Sequence, residues 1–121
     1  MFKVIWGLKR RSELSAEEFR HHFETYHAPL AEKHFGHLML AYRRNYINAV
    51  DGAGAALASA ESPFAFDCLS EWAMKDEQAF REIQAILSRP EVAREMGEDS
   101  AKFIDGSSTL IVTTEAVERN P

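Results

Sequence analysis

An alternating pattern near the start of the chain constrains its fold more than any other feature. Residues 2–10 alternate, with large apolar side chains on one face at Phe2, Val4, Trp6 and Leu8, and with Lys3, Ile5, Gly7 and Lys9 on the other. A period of two predicts a β-strand with one apolar face. Three further segments rich in β-forming or long aliphatic residues predict strands at 38–47, 64–73 and 109–115. Such strands have to join in a sheet, and the segments between them decide how that sheet is covered.

The first connecting segment has the pattern of a helix. Ser15 opens it, because Glu18 follows three residues later and completes a capping box. At about 100° per residue, one apolar stripe runs along this helix through Phe19, Phe23, Tyr26 and Leu30. Pro29 removes a backbone donor, so we expect a kink or break within residues 25–29 and a helix end near Gly36.

The second helical segment covers residues 76–87, where one face carries Phe80, Ile83, Ile86 and Leu87. Pro90 ends it, and a shorter helical piece is expected at 91–96. The small residues of 48–63 predict a flexible connection, either a lid over a pocket or a plain loop. The resulting order, β-α-β-β-α-β, predicts a single α+β domain over 1–121. Its fold is ferredoxin-like, a four-stranded antiparallel sheet with two helices on one face.

Apolar residues on both faces of the strands predict a homodimer. Val4 and Ile5 lie on opposite faces of the first strand, as do Ile111 and Val112 in the last. Two helices cover one face only, and an uncovered apolar face of several hundred Å² is rare in monomers. A second copy on a two-fold axis would cover it. The alternatives are a monomer that tolerates the exposure, or cover by residues 48–63.

Length and composition exclude several classes of protein. The 121 residues fit one domain, and a net charge of -5 argues against nucleic acid as a partner. No apolar run approaches the ~20 residues that span a bilayer, so we expect no membrane partner. The single cysteine, Cys68, excludes an internal disulfide. With no signal-peptide pattern at the N-terminus, we expect a cytoplasmic protein.

Specific motifs in residues 7–34 (GLKRRSELSAEEFRHHFETYHAPLAEKH) resemble the EthD domain family. The two most specific are Ser-x-Glu-Glu-Phe at 15–19 and His-x-Pro-Leu at 27–30. Further matches along nearly the whole chain are Asn45, Asp67, Glu71 and residues 103–105. The resemblance implies a dimeric α/β-barrel protein, a homodimer with a small-molecule pocket between sheet and helices in each subunit. That broad group includes cofactor-free monooxygenases, polyketide cyclases, dehydratases, decarboxylases, lactone isomerases and haem-degrading enzymes.

Three titratable residues are the candidates for chemistry. His27, at the edge of the apolar stripe, would act as a general acid and base near neutral pH. The alternative is a core-edge histidine bonded to a backbone carbonyl. Asp67 and Glu71 lie four apart on one strand and share a face, so burial could split their pKa values into an acid and a base. Alternatively, each pairs with a basic residue of the neighbouring strand, Arg43 or Arg44.

Candidate substrate-binding residues come from the strands. Tyr42, Asn45 and Tyr46 could hold a substrate carbonyl or phenolate oxygen. Trp6 and Trp72 would line an aromatic pocket, although all of these rings could equally be plain core.

All five histidines lie within residues 21–37, but the pattern does not favour a metal site. No H-E-x-x-H motif is present, and Gly36 interrupts the face that His27 and His34 share. No glycine-rich phosphate loop follows a strand into a helix either. We therefore expect neither a metal nor another cofactor.

Taken together, the residues and the resemblance indicate an enzyme that acts on an aromatic or polyketide-like compound. Its chemistry would be proton transfer, as in a lyase, dehydratase, decarboxylase, cyclase or isomerase, with His27 and Glu71 as the catalytic residues. Two alternatives stay open: a cofactor-free monooxygenase, and a non-catalytic ligand-binding protein that accompanies an oxidative catabolic pathway.

Overall fold

A computed structural model describes residues 1–58 and 64–121. Four strands form one antiparallel sheet in the order β2-β3-β1-β4, with bounds β1 Phe2–Leu8, β2 Ala41–Tyr46, β3 Cys68–Met74 and β4 Leu110–Glu115. The helices are α1 Ala16–His22, α2 Ala28–Phe35, α3 Glu77–Leu87 and α4 Pro90–Phe103. Strand order and direction confirm the ferredoxin-like α+β fold predicted from the sequence. The predicted loop at 48–63 lies partly outside the described residues.

Helices α1 to α4 pack on one face of the sheet, and the strand residues in the two core clusters are all even-numbered, so they point to that face. Val4 and Leu8 of β1 and Cys68, Trp72 and Met74 of β3 are buried against helical side chains. From the helices, the buried members are Phe19, Phe23, Ala28, Ala31, Phe35, Ile83, Val92, Met96 and Phe103. Burial of these apolar side chains stabilises the layer of helices on the sheet.

The first helical segment begins as the sequence predicts. The Ser15 hydroxyl accepts from the Glu18 backbone N–H at 3.1 Å, and the Glu18 carboxylate accepts from the Ser15 N–H at 2.9 Å. This capping box satisfies two donors that a helix start would otherwise leave unpaired.

A π turn at Phe23–His27 separates α1 from α2. The Ala28 N–H bonds to the Phe23 carbonyl, five residues back, and Pro29 follows in the first turn of α2. The break predicted near Pro29 is therefore a widened turn in a continuous helical segment. The extra residue shifts the buried face, so Tyr26 is 57% exposed and the predicted stripe through it is wrong.

Helix α4 is longer than the short piece predicted at 91–96, because it continues to Phe103. Its C-terminal end is joined to the segment after β1. The Arg11 N–H bonds to the Phe103 carbonyl at 3.0 Å, and the Asp105 N–H bonds to the Lys9 carbonyl at 2.8 Å. These backbone bonds fix the C-terminal end of α4 beside the segment that follows β1.

Within the described ranges, 1–58 and 64–121, no helix lies on the opposite face of the sheet, here called the open face. Its side chains include Lys3, Ile5, Leu69, Glu71, Leu110 and Val112. Apolar residues gather on the β1–β4 side, where Leu110 is 54% and Val112 is 42% exposed.

Gly7 receives the ring of Phe66 on the open face. A Cβ at this position would lie 2.7 Å from a carbon of that ring, closer than real Cβ contacts come. The glycine therefore allows an aromatic ring to lie directly on the β1 backbone.

We expect Gly7→Ala to lower the free energy of unfolding by about 1–2 kcal/mol, because the Phe66 ring must leave its place. Chemical denaturation measures the change. Gly97→Ala is the matched control, since a Cβ there meets nothing within 4 Å and alanine favours a helix. Equal stability of wild type and Gly7→Ala would contradict this account of the contact.

Candidate active site

A cavity of about 570 Å³ lies between the sheet and the helices, a size suited to a small organic molecule. The sheet contributes Trp6, Leu8, Tyr42, Ser70 and Trp72 to its wall. The helices contribute Phe23, His27, Leu87, Ala93, Met96, Gly97, Ser100 and Ala101, and the flanking loops add Arg11, Ile104, Gly106 and Thr109. Most of these side chains are apolar or aromatic, so the few polar ones have to orient any ligand.

His27 is the titratable group best placed for chemistry on this wall. Its Nδ1 lies 2.7 Å from Oδ2 of Asp99 on α4, and the two side chains are only 10% and 12% exposed. A carboxylate can only accept hydrogen bonds, so Nδ1 carries the proton of the neutral ring and donates a hydrogen bond to Asp99. In the neutral ring, Nε2 is then an unprotonated base, and it bonds to no other group in the described part of the chain.

Two rings hold the imidazole in place. Phe23 meets it edge-on with the ring centroids 5.5 Å apart, and Phe103 lies at 5.0 Å. Burial among these rings lowers the pKa of His27 below its ordinary value, and the hydrogen bond to Asp99 opposes that shift only in part. At neutral pH the ring is therefore a free base with a fixed orientation.

Asp99 is a candidate site residue that the sequence alone does not identify. The predicted helical piece ended at Met96, so Asp99 was not assigned to any helix face. The sequence nevertheless contains a signal. A helix stripe with spacings of four, three and four residues runs through Val92, Met96, Asp99 and Phe103, and the three apolar members of this stripe are buried. A carboxylate at a core position of an amphipathic helix needs a partner, which marks it as a candidate site residue.

Tyr42 and Ser70 add hydroxyl groups from the sheet side of the cavity. Burial raises the pKa of Tyr42 well above its ordinary value, more than the nearby Arg44 and Ser70 lower it. The phenol therefore stays protonated and can donate a hydrogen bond to a ligand oxygen. Ser70 is almost fully buried on the adjacent strand β3.

The two tryptophans of the chain stand side by side on the same wall. Trp6 and Trp72 have ring centroids 5.3 Å apart at an interplanar angle of 48°. Neither indole N–H has a hydrogen-bond partner among the residues that the structure describes, and both are buried.

The structure places Tyr46 and Asn45 outside the cavity wall. The Tyr46 hydroxyl donates to Glu24, which also accepts two hydrogen bonds from Arg44 at 2.7 and 2.8 Å. The Arg44 guanidinium holds the pKa of Glu24 below its usual range. This cluster fastens the helical segment to the edge strand β2. The Asn45 amide donates to Glu71 at 3.1 Å and to the Leu69 carbonyl at 3.0 Å.

Glu71 and Asp67 do not reach His27 either. Glu71 lies on the open face, where Lys3 donates to it at 3.3 Å. Asp67 accepts from the Arg10 backbone N–H at 2.8 Å and forms an ion pair with that guanidinium at 3.3 Å. Their ion-pair partners are therefore Lys3 and Arg10 rather than the predicted Arg43 and Arg44, although Arg43 lies opposite Glu71 on β2. Asp105 caps the turn at Gly106–Ser108 through the Ser107 N–H, at 3.1 Å.

Two other histidines of the helical segment, His22 and His34, each contact one carboxylate. His22 Nε2 lies 3.1 Å from Asp99 Oδ1, and His34 Nε2 lies 2.8 Å from Glu95. Within residues 1–58 and 64–121, no group of three or more His, Cys, Asp and Glu side chains is arranged to hold a metal ion. No helix in the same ranges is long and apolar enough to cross a membrane.

Comparison with solved structures defines the class of protein. An EthD family protein from Bacillus halodurans C-125 superposes with a TM-score of 0.64 at 20% identity, over 97% of this chain and 100% of that one. An EthD-like protein from Ralstonia eutropha JMP134 gives 0.65 at 14%, over 98% and 95%. A dimeric protein of unknown function with a ferredoxin-like fold, from Bacteroides fragilis NCTC 9343, gives 0.56 at 11%, over 95% of each chain. At these identities the similarity establishes a shared ferredoxin-like fold.

The family follows from the sequence. The EthD domain model matches residues 11–107, most of the chain, so this protein belongs to the EthD family, as the sequence motifs predicted. No curated protein matches the chain.

We expect His27 to titrate at a lower pH than in the unfolded chain, where an imidazole has a pKa of about 6.5. Burial disfavours the imidazolium, so the neutral base persists as the pH falls below 6.5 and is lost only at the lowered pKa. Nitrogen-15 NMR of histidine-labelled protein measures the midpoint, with His27→Gln as the assignment control. A native midpoint at or above that of the urea-unfolded chain would contradict the burial effect.

Proposed function

We propose that this protein is an enzyme that transfers protons on an aromatic or polyketide-like small molecule, with His27 as the general acid and base. The observation that carries this proposal is the His27–Asp99 pair on the wall of an aromatic cavity. A neutral imidazole with one nitrogen bonded to a carboxylate and the other free is the arrangement that general base catalysis needs. The EthD family membership is consistent with it.

The lining of the cavity suits an aromatic ligand that carries an oxygen atom. Trp6 and Trp72 provide flat apolar surface for a ring, while the protonated Tyr42 phenol can donate to a carbonyl or enolate oxygen. A proton removed next to that carbonyl would move to Nε2 of His27 and leave an enolate. Hydrogen bonding to the enolate oxygen would lower the barrier.

Asp99 would take the role that the sequence suggested for Glu71. Its hydrogen bond keeps the proton on Nδ1 and so keeps Nε2 free, and its negative charge stabilises the imidazolium that forms after proton abstraction. The same imidazolium can then return the proton to a leaving hydroxyl or to carbon. Dehydration, cyclisation and isomerisation combine these steps, whereas decarboxylation forms the enolate by loss of CO2 and uses only the return of a proton to carbon.

We expect His27→Ala to slow enzyme-catalysed exchange of the α-protons of 2-tetralone in D2O by about 10²–10⁴-fold, since the base is gone. Asp99→Asn should slow it within the same range, because the amide no longer fixes the tautomer. Proton NMR follows the exchange. Binding of the ketone, followed by the fluorescence of Trp6 and Trp72, should persist in both variants.

Two further variants make this test specific. Glu98→Gln is the matched control for Asp99→Asn, because Glu98 is the neighbouring residue of α4 and is exposed. Glu71→Gln tests the assignment made from the sequence. Loss of exchange in Glu71→Gln with normal exchange in Asp99→Asn would refute the catalytic role proposed for the His27–Asp99 pair. Normal exchange in His27→Ala would refute the proposal that His27 is the general base.

We also propose that the protein is a homodimer joined through its open face. Apolar side chains of that face, half-buried at Ile5 and Leu69 and exposed at Leu110 and Val112, form the kind of patch that a second copy covers. The structural neighbour described as dimeric supports this proposal.

Adjacent residues of β4 give a matched pair of variants for the dimer. Val112→Lys puts a charge on the open face, and Ile111→Lys puts the same charge on the other face of the same strand, where Ile111 is 49% exposed. In light scattering after gel filtration, we expect a monomer for Val112→Lys and a dimer for Ile111→Lys. A wild-type protein that runs as a monomer at micromolar concentration would rule out the interface.

A further inference from the structure

Both oxygens of the Asp99 carboxylate bond to histidines, and only one of these histidines is explained by the proposed function. Oδ2 accepts from His27 on the cavity wall, while Oδ1 lies 3.1 Å from Nε2 of His22. The side chain of His22 is 20% exposed and belongs to a separate cleft on the outer surface, lined by Leu14, Glu17, Glu18, His21, His22 and Lys102. Asp99 therefore links the inner cavity to the outer cleft through two imidazoles.

The π turn makes this bridge possible. His22 and His27 are five residues apart, which in a regular α-helix separates side chains by about 140° around the axis. At Phe23–His27 the backbone N–H bonds to the carbonyl five residues back instead of four, so this turn of the helix contains about one residue more than an α-helical turn. The side chains of His22 and His27 therefore lie on the same side of the helical segment. The widened turn thus brings both rings within reach of one carboxylate on α4.

Aromatic packing holds the His22 ring against the same core as His27. Its centroid lies 4.7 Å from that of Phe103 and 5.1 Å from that of Tyr26. Phe103 also contacts His27, so one buried ring supports both imidazoles. His22 is thus held by a hydrogen bond and by ring contacts, although it does not line the cavity.

We propose that His22 is a positioning residue for His27: it holds the outer oxygen of Asp99 and adjusts, through that carboxylate, how tightly His27 binds a proton. This inference rests on the proposed role of His27. A carboxylate bonded at one oxygen can rotate about its Cβ–Cγ bond, whereas one bonded at both oxygens keeps Oδ2 directed at Nδ1 of His27. His22 would therefore preserve the tautomer that leaves Nε2 free.

The charge of His22 acts in a definite direction. A positive charge on His22 offsets part of the negative charge of Asp99. The carboxylate then stabilises a proton on His27 less strongly, so the pKa of His27 falls. The other charged or titratable groups that face His22 are Glu17, Glu18 and His21 on α1, Tyr26 in the π turn and Lys102 on α4. Removal of His22 leaves the full carboxylate charge to His27, so His27 should hold its proton to a higher pH.

The test compares three variants by nitrogen-15 NMR of the His27 ring. His22→Phe keeps the stack on Phe103 and removes both ring nitrogens, and His22→Gln keeps a donor for Asp99 but cannot carry a charge. We expect the His27 midpoint to move to higher pH in both. The Nδ1–H tautomer should stay dominant in His22→Gln and decrease in His22→Phe. His21→Phe, in the same cleft but without a bond to Asp99, is the control and should change neither.

An unchanged His27 midpoint and tautomer in His22→Phe would overturn the inference, as would an equal effect of His21→Phe. Should His22→Phe fail to fold, the midpoint in His22→Gln decides the question alone. These readouts do not depend on turnover. The His27 midpoint could shift in the His22 variants although the protein does not catalyse exchange of the 2-tetralone protons. That result would refute the proposed enzyme and leave the coupling of the two histidines in place.

Discussion

The attachment of the C-terminal end of α4 to the segment that follows β1 is the constraint on which the rest of this molecule depends. Backbone hydrogen bonds from Arg11 to Phe103 and from Asp105 to Lys9 join the end of this helix to the end of β1. Because the helix is anchored at that end, its inner face forms one wall of the cavity. The same anchoring brings Asp99 to His27. A looser α4 would lose both the cavity and the pair.

The π turn shows how a local irregularity serves a distant contact. Pro29 lacks an N–H, and the preceding turn is widened so that the Ala28 N–H bonds five residues back. This widening costs some backbone regularity, and it turns His22 and His27 toward the same carboxylate. π turns inside α-helices are frequent at functional sites, and here the geometric reason is visible.

The two faces of the sheet divide the polar residues of the strands into separate roles. On the helix side, Tyr42 and Ser70 are among aromatic rings and face the cavity. On the open side, Lys3 and Glu71 pair with each other across neighbouring strands. Since successive residues of a strand point to opposite faces, a shift of one position decides which of these roles a polar residue has.

The sequence by itself determined the order of the elements, the capping box at Ser15 and the family, because these depend on short-range periodicity and on local motifs. His27 could be selected for the same reason, since it belongs to a motif of four consecutive residues. The partner of His27 could not be selected: Asp99 lies 72 positions further along the chain. Only the packing of helices on the sheet decided that this carboxylate, and not Glu71, meets the imidazole. Periodicity places a side chain on a face of its own element, whereas the contact between two faces is a property of the folded chain as a whole.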